Sequence, residues 1–200
     1  TSNFLIYDTA DSQSLIKQIL KELHIDDKKV TPNGMLYAIS GAKNELVGPE
    51  KFAELAHGMM QEQAATIYPL YQKKLREADA MDFDDMIMKL VELLKSDEAI
   101  LQKYQQQFQY ILVDEYQDTN MAQYELIHLL ARAHSNICVV GDDWQSIYSW
   151  RGANFQNILN FERDYPDAKV VKLEQNYRST QTILDAAYAV IARNTDRTDK

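Results

Sequence analysis

Apolar positions first recur with helical spacing at Leu15, Ile16, Ile19, Leu20 and Leu23, which share one helix face if Asp11 or Ser12 caps the start. The stretch TPNG at 31–34 has the residues of a turn. Beyond Pro49, a first-turn proline, Phe52, Leu55, Ala56 and Met59 again fall at helical spacing. Ile67, Leu70, Tyr71 and Leu75 continue that stripe. Pro69 lies inside it and is expected to kink or split the helix, because it has no N–H and its ring crowds the preceding turn. Asp82 reads as the next N-cap, with Asp84 and Asp85 in the positive first turn. The apolar face of that helix is Phe83, Ile87, Leu90, Val91 and Leu94.

The pattern changes near residue 108. FQYILVDE, NICVVGDD and KVVKLEQN are short apolar runs, each ending in polar or acidic residues. Helical patterns, MAQYELIHLLARA and FQNILNFER, separate them. Strands alternating with helices predict parallel βαβ units. The expected architecture is thus an all-helical region to about residue 81, then an α/β region that starts with a helix and contains a parallel sheet.

Composition narrows the class. The 200 residues are 46% hydrophobic and 26% charged, which excludes wholesale disorder and leaves room for one large or two small domains. No apolar run reaches the roughly 20 residues that span a bilayer, so no membrane partner is expected. The start, TSNFLIYDTADSQ, lacks the basic and apolar regions of a secretion signal, and its first residue, Thr1, fits a processed chain or a piece of a longer one. Cys138, the one cysteine, lies in an apolar run and is expected to be a buried, inert thiol, which fits a reducing cytoplasm. The net charge of −9 is uneven: −2 over residues 1–81, −7 over 82–130 and 0 over 131–200. That balance speaks against a broad basic surface for nucleic acid. A local groove with a few cations and stacking rings remains compatible with it.

The acids at the strand ends carry the chemistry. In open α/β sheets ligands sit beyond the carboxyl ends of the strands. YILVDE places Asp114 and Glu115 there, in the pattern of a Walker B segment. In such a site the Asp holds Mg²⁺ beside nucleotide phosphates, and the adjacent Glu polarises the attacking water. A solvated strand end is the plainer reading of the same pair. VVGDDWQS places Gln145 a few residues beyond a second acidic strand end, where an amide can touch a γ-phosphate or only line a polar loop. LEQNYRS ends the third run, with Arg178 as a candidate arginine finger and Tyr177 as a flat face for a purine. The segment GDDWQSIYSWRGA at 141–153 adds three large aromatics and an arginine within one loop.

Taken together, IYDTAD at 6–11, ISGAKNEL at 39–46, MDFDDMI at 81–87, FQYILVDEYQDTNMAQY at 108–124, VVGDDWQSIYSWRGA at 139–153 and LEQNYRST at 173–180 resemble the motor core of a superfamily 1 DNA helicase of the UvrD/Rep type. The resemblance runs through nearly the whole chain. It implies a P-loop NTPase, RecA-like motor domain, present in part, with an all-helical inserted subdomain. Residues 1–81 would be that insert (1B-like) and residues 82–174 the second half of the first motor domain (1A-like). Residues 175–200 would form the junction to the second motor domain and its start (2A-like).

The same resemblance implies ATP and Mg²⁺ as cofactors, with Asp114 on the metal, Glu115 activating water and Gln117 coupling the nucleotide site to its surroundings. Gln145 would sense the γ-phosphate, Tyr177 would stack on adenine and Arg178 would contact the γ-phosphate. Tyr148, Trp150 and Arg151 would meet single-stranded DNA, with core packing as the plainer role for the two rings. Lys43 is a weaker candidate for a phosphate contact, against the reading of a solvated lysine. Asp82, Asp84 and Asp85 are better explained by helix capping than by a metal. Where relatives commonly carry a small or acidic residue this chain has Trp144, which either adds a ring near the nucleotide or packs on a neighbour.

No GxxxxGK followed by Ser or Thr occurs. In the family that P-loop precedes the helical insert, so the chain reads as an internal piece, inactive towards ATP by itself. The expected activity of the parent is ATP-driven 3′-to-5′ translocation on single-stranded DNA and unwinding at single-strand/duplex junctions. Two other readings are a metal-dependent nuclease, using Asp114, Glu115, Asp118, Asp142 and Asp143 around two ions, and a non-catalytic DNA-binding module.

Overall fold

The computed structural model describes residues 4–26, 30–149 and 152–193. They form two compact units, residues 1–109 with 120–134, and residues 110–119 with 135–200. The chain is mostly helical with two small parallel sheets, an arrangement consistent with an α/β protein.

The first unit is not wholly helical up to residue 81. Strand β1 (Leu5–Tyr7) pairs in parallel with β2 (Ala80–Asp82), with Leu5 opposite Ala80. Three-residue strands are too short to show an alternating pattern, and AMD carries no β-branched residue, so the pair exists only through its long-range partner. Helix α1 (Thr9–Glu22) is capped by Asp8, not by Asp11 or Ser12. The Asp8 carboxylate accepts from the N–H groups of Ala10 and Asp11, and the Asp11 carboxylate accepts from the Asp8 N–H, which closes a capping box.

TPNG is a helix start rather than a turn. Thr31 accepts from the Gly34 N–H at 3.2 Å and Pro32 opens helix α2 (Pro32–Asn44). Two glycines within α2 weaken its sequence signal. At Gly34 an added Cβ would lie 3.0 Å from Thr31 Oγ1 and 3.1 Å from the Met60 methyl.

The stripe through 49–77 is divided, and not at its proline. Helix α3 (Pro49–Leu55) ends before Gly58, whose φ of +86° no continuing helix residue adopts. Leu55 and Met59, expected on one buried face, are therefore exposed. Helix α4 (Met59–Glu77) runs unsplit through Pro69, and its packed residues outweigh the single backbone bond the proline removes. Ile16, Ile19 and Leu20 of α1, Met35 and Ile39 of α2, and Ile67, Tyr68, Tyr71 and Leu75 of α4 make one core.

Helix α5 (Phe83–Ser96) starts at the Asp82 cap as expected, with the Asp85 N–H donating to Asp82 at 2.8 Å. Its buried face is Met88, Val91 and Leu94, while Phe83 and Leu90 point outward. Helix α6 (Glu98–Gln107) gives little apolar signal and is set by the Asp97 cap. With α5 and α7 (Met121–Ala131) it encloses Val91, Leu94, Leu101 and Leu129.

Burial, reinforced by nearby carboxylates, raises both core tyrosine hydroxyls above their usual value: Asp85 acts on Tyr68, and Asp82 on Tyr71. The folded-state value exceeds the unfolded one near 10. Their contribution to stability is therefore whole below about pH 10 and is lost as pH rises above it. Urea midpoints are expected to show no effect of these hydroxyls between pH 7 and 9 and to fall beyond about pH 10. Tyr71→Phe should flatten that alkaline fall.

In the second unit, β3 (Ile111–Val113) pairs in parallel with β4 (Ile137–Val139), Leu112 opposite Cys138. Cys138 is exposed, not buried, and Leu112 beside it is 79% exposed, because nothing among the described residues covers that sheet face. The expected third strand, KVVKLEQN, does not form: residues 168–176 have no regular structure, and Val170, Val171 and Leu173 are exposed. An extended run needs a neighbour to satisfy its backbone groups, and none among the described residues pairs with it. FQNILNFER forms two short helices, α8 (Gln156–Leu159) and α9 (Phe161–Asp164), and α10 (Gln181–Ile191) ends the described chain.

Candidate functional site

Asp114 and Glu115 emerge at the carboxyl end of β3, exposed, as the apolar run before them predicts. Glu115 takes a left-handed backbone, φ 50° and ψ 41°, so the chain turns sharply at the acid pair. Its N–H donates to the Asp114 carboxylate at 2.9 Å. The turn Tyr116–Asp118 then buries Tyr116, whose ring meets Phe161 edge-on at 5.7 Å.

Gln117 is fully buried and joins the two strand-end loops. Its amide nitrogen donates to Glu115 Oε2 at 2.8 Å, and its amide oxygen accepts from the Asp142 N–H at 3.0 Å. Asp142 in turn accepts from the Trp144 N–H at 2.9 Å and from the Gln145 amide at 2.8 Å. A continuous path, Glu115–Gln117–Asp142–Gln145, thus crosses from the end of β3 to the turn after β4. The role of Asp142 as its bracket was not read from the sequence. The one available signal was an Asp three residues before a Gln, which is common in loops.

The path leaves no room at Gly141. A Cβ there would stand 2.6 Å from Gln117 Oε1, 2.8 Å from Ile158 Cδ1 and 3.3 Å from the Tyr116 nitrogen. Gly141→Ala is expected to displace the Gln117 amide and to cost about 1–3 kcal/mol, the usual range for overpacking. Urea unfolding measures this, and an unchanged midpoint would refute it.

Asp118 is the other acid of this segment. Burial comes first and the Glu115 charge second in raising its carboxyl above the ordinary value. The Gln117 amide and the backbone N–H groups of Ile147 and Tyr148 act in the opposite direction. Asp118 therefore faces the segment that carries Tyr148, a side chain 39% exposed rather than in the core. Trp150 and Arg151 lie outside the described residues.

Tyr177 is 92% exposed and Arg178 is exposed beside it. Asn176 accepts from the N–H groups of Arg178 and Ser179, both at 2.9 Å, which fixes the loop while both side chains project. Among the described residues no hydrogen bond or ion pair joins Arg178 to Asp114 or Glu115. Trp144 packs on a neighbour: its ring lies 5.7 Å from that of Tyr188 in α10.

Lys43 is not available to a phosphate, nor is it solvated. It is 0% exposed, with Nζ 2.6 Å from Asp82 and 3.0 Å from Asp85. The Tyr71 hydroxyl donates to the same Asp82 oxygen and the Gln72 amide to Asp85. A lysine stem placed among α2, α4 and α5 is covered by them, and its charge is already matched. Asp84 is separate: burial raises its carboxyl, opposed by a hydrogen bond from Ser40.

The five carboxylates of a two-ion nuclease do not gather. Among the described residues no three acids, histidines or cysteines are placed to hold a metal ion together. Asp142 is occupied by Trp144 and Gln145. Among the described residues no helix is long and apolar enough to cross a membrane.

Two parallel strands whose carboxyl-end loops are bridged by the buried Gln117 amide are consistent with an α/β protein. The UvrD/REP helicase N-terminal domain matches residues 1–166, and the chain belongs to that family. It is 54% identical over 198 residues to the ATP-dependent DNA helicase PcrA of Bacillus subtilis (strain 168), and 50% identical over 198 residues to that of Leuconostoc citreum. The protein of the same name from Staphylococcus epidermidis (strain RP62A) is 52% identical. Each match takes in 99% of this chain, which spans 26–27% of the length of these relatives.

Proposed function

We propose that this chain is a segment of an ATP-dependent 3′-to-5′ DNA helicase, which couples ATP hydrolysis to movement along single-stranded DNA and to unwinding at single-strand/duplex junctions. The observation that carries the reading is the hydrogen-bonded path from Glu115 through Gln117 and Asp142 to Gln145. A path between the end of β3 and the loop bearing Tyr148 is what coupling nucleotide state to DNA requires. The names of the relatives support the same activity.

Hard oxygen donors suit Mg²⁺, and the exposed Asp114 carboxylate offers them at the strand end. When bound, Mg²⁺ supplies positive charge that neutralises phosphate oxygens. Gln117 orients Glu115 by holding Oε2, which leaves the other oxygen to align and polarise a water. Gln145 and Arg178 sense and neutralise the γ-phosphate, and Tyr177 gives adenine a stacking face. Tyr148, with Trp150 and Arg151, stacks on bases, about 1–3 kcal/mol per base and indifferent to sequence.

In this reading residues 1–81, helical apart from β1 and the start of β2, are the insert, 82–174 the second half of the first motor domain and 175–200 the start of the next. The 200 residues hold no P-loop motif, so they are not expected to hydrolyse ATP alone.

The test is made on the full natural protein that contains these residues. Mg²⁺-dependent ATPase stimulated by oligo-dT, with a 3′-tailed duplex opened and both strands intact, is the expected result. Cleavage of DNA with Mg²⁺ and no nucleotide would instead establish a nuclease. DNA binding with neither activity would establish a binding module.

A further inference from the structure

The sequence pattern leaves Trp144 without a function, and the structure gives it a partner. It is the middle residue of the turn Asp143–Gln145. Its N–H and the Gln145 side chain are both held by one carboxylate, Asp142, whose own N–H is held by Gln117. Its ring reaches away from this bracket to Tyr188, with 5.7 Å between centroids and 44° between planes. That separation lies within the range of an attractive aromatic pair. Tyr188 belongs to α10, whose N-cap, Thr180, follows Arg178 by two residues. The loop with Tyr177 and Arg178 is thus joined to a rigid rod. The rod is fixed two turns further along by the ring of the residue next to Gln145.

We infer that Trp144 is a positioning residue: through Tyr188 it ties the turn that carries Gln145 to the helix that carries the Tyr177–Arg178 loop. The two γ-phosphate-directed side chains are thereby held in register with each other. The inference rests on the proposed ATPase reading. It assigns Trp144 no contact with nucleotide or DNA. Its effect therefore belongs in kcat, which depends on alignment in the transition state, and not in the KM for ATP.

A double-mutant cycle in the full natural protein tests this, read as oligo-dT-stimulated ATPase. Trp144→Leu and Tyr188→Leu are each expected to lower kcat by roughly two- to tenfold, the range for loss of one aromatic pair, with KM for ATP within about twofold. The double variant should be no worse than either single one. Trp144→Phe, which keeps a ring face, should keep most of the wild-type rate. Circular dichroism identifies any variant that fails to fold, and the Phe-against-Leu comparison at position 144 then decides alone. Unchanged kcat in the Leu variants overturns the inference, as do losses that multiply in the double variant or appear only in KM. A wild-type protein without ATPase would be a different failure, that of the activity assignment itself.

Discussion

Glu115→Gln in the full natural protein is expected to lower kcat for ATP hydrolysis by roughly 10²–10⁴-fold, the usual contribution of a general base. The substitution keeps the shape and one oxygen acceptor, so the bond from the Gln117 amide survives. It removes the charge that draws a proton from water. Binding of ATP and of single-stranded DNA should stay within a few-fold, because the acid acts on the water and not on the ligands. The left-handed backbone at 115 is also unchanged, and Gln tolerates it about as well as Glu. Steady-state ATPase beside nucleotide and oligo-dT titrations separates the two effects. A loss confined to KM, or no loss, would remove Glu115 from the catalytic role.

Lys43→Ala is expected to destabilise the helical unit by about 3–5 kcal/mol, the cost of leaving a buried charge unpaired. Two carboxylates, Asp82 and Asp85, would lose the one cation that pairs with them among the described residues, at 2.6 and 3.0 Å, inside a site almost closed to water. The hydrogen bonds from Tyr71 and Gln72 remain but do not neutralise them. Lys43→Met combined with Asp82→Asn and Asp85→Asn should recover much of the loss. Asn at position 82 still caps α5, and an uncharged core group does not carry the desolvation penalty. Urea unfolding of the three proteins measures this. Equal midpoints for wild type and Lys43→Ala would show that the cluster is not a buried charge network.

How much could be read in advance differed by element. The α5 start was legible because a capping Asp acts on backbone groups within three residues of itself. Helix α7 was legible from its dense apolar run, and β3 and β4 from apolar triplets before acids. β1 and β2 were not, because each is stabilised by a strand more than seventy residues away. KVVKLEQN shows the reverse case: strand-forming residues remain irregular where no strand among the described residues pairs with them.

The candidate site divides in the same way. The chain alone determined which chemistry was present: Asp114 and Glu115 after a β-branched run, Gln145 after a second, and Tyr177–Arg178 in a polar loop. Those follow from local order, since strand, turn and acid are adjacent in the sequence. Tertiary structure decided the use of each charge and amide. It committed Lys43 to a buried pair of aspartates, made Asp142 a bracket, gave Gln117 both strand-end loops and set Trp144 on Tyr188. Hydrogen bonds and ion pairs act over about 3 Å, and which residues come within that reach depends on how distant segments pack.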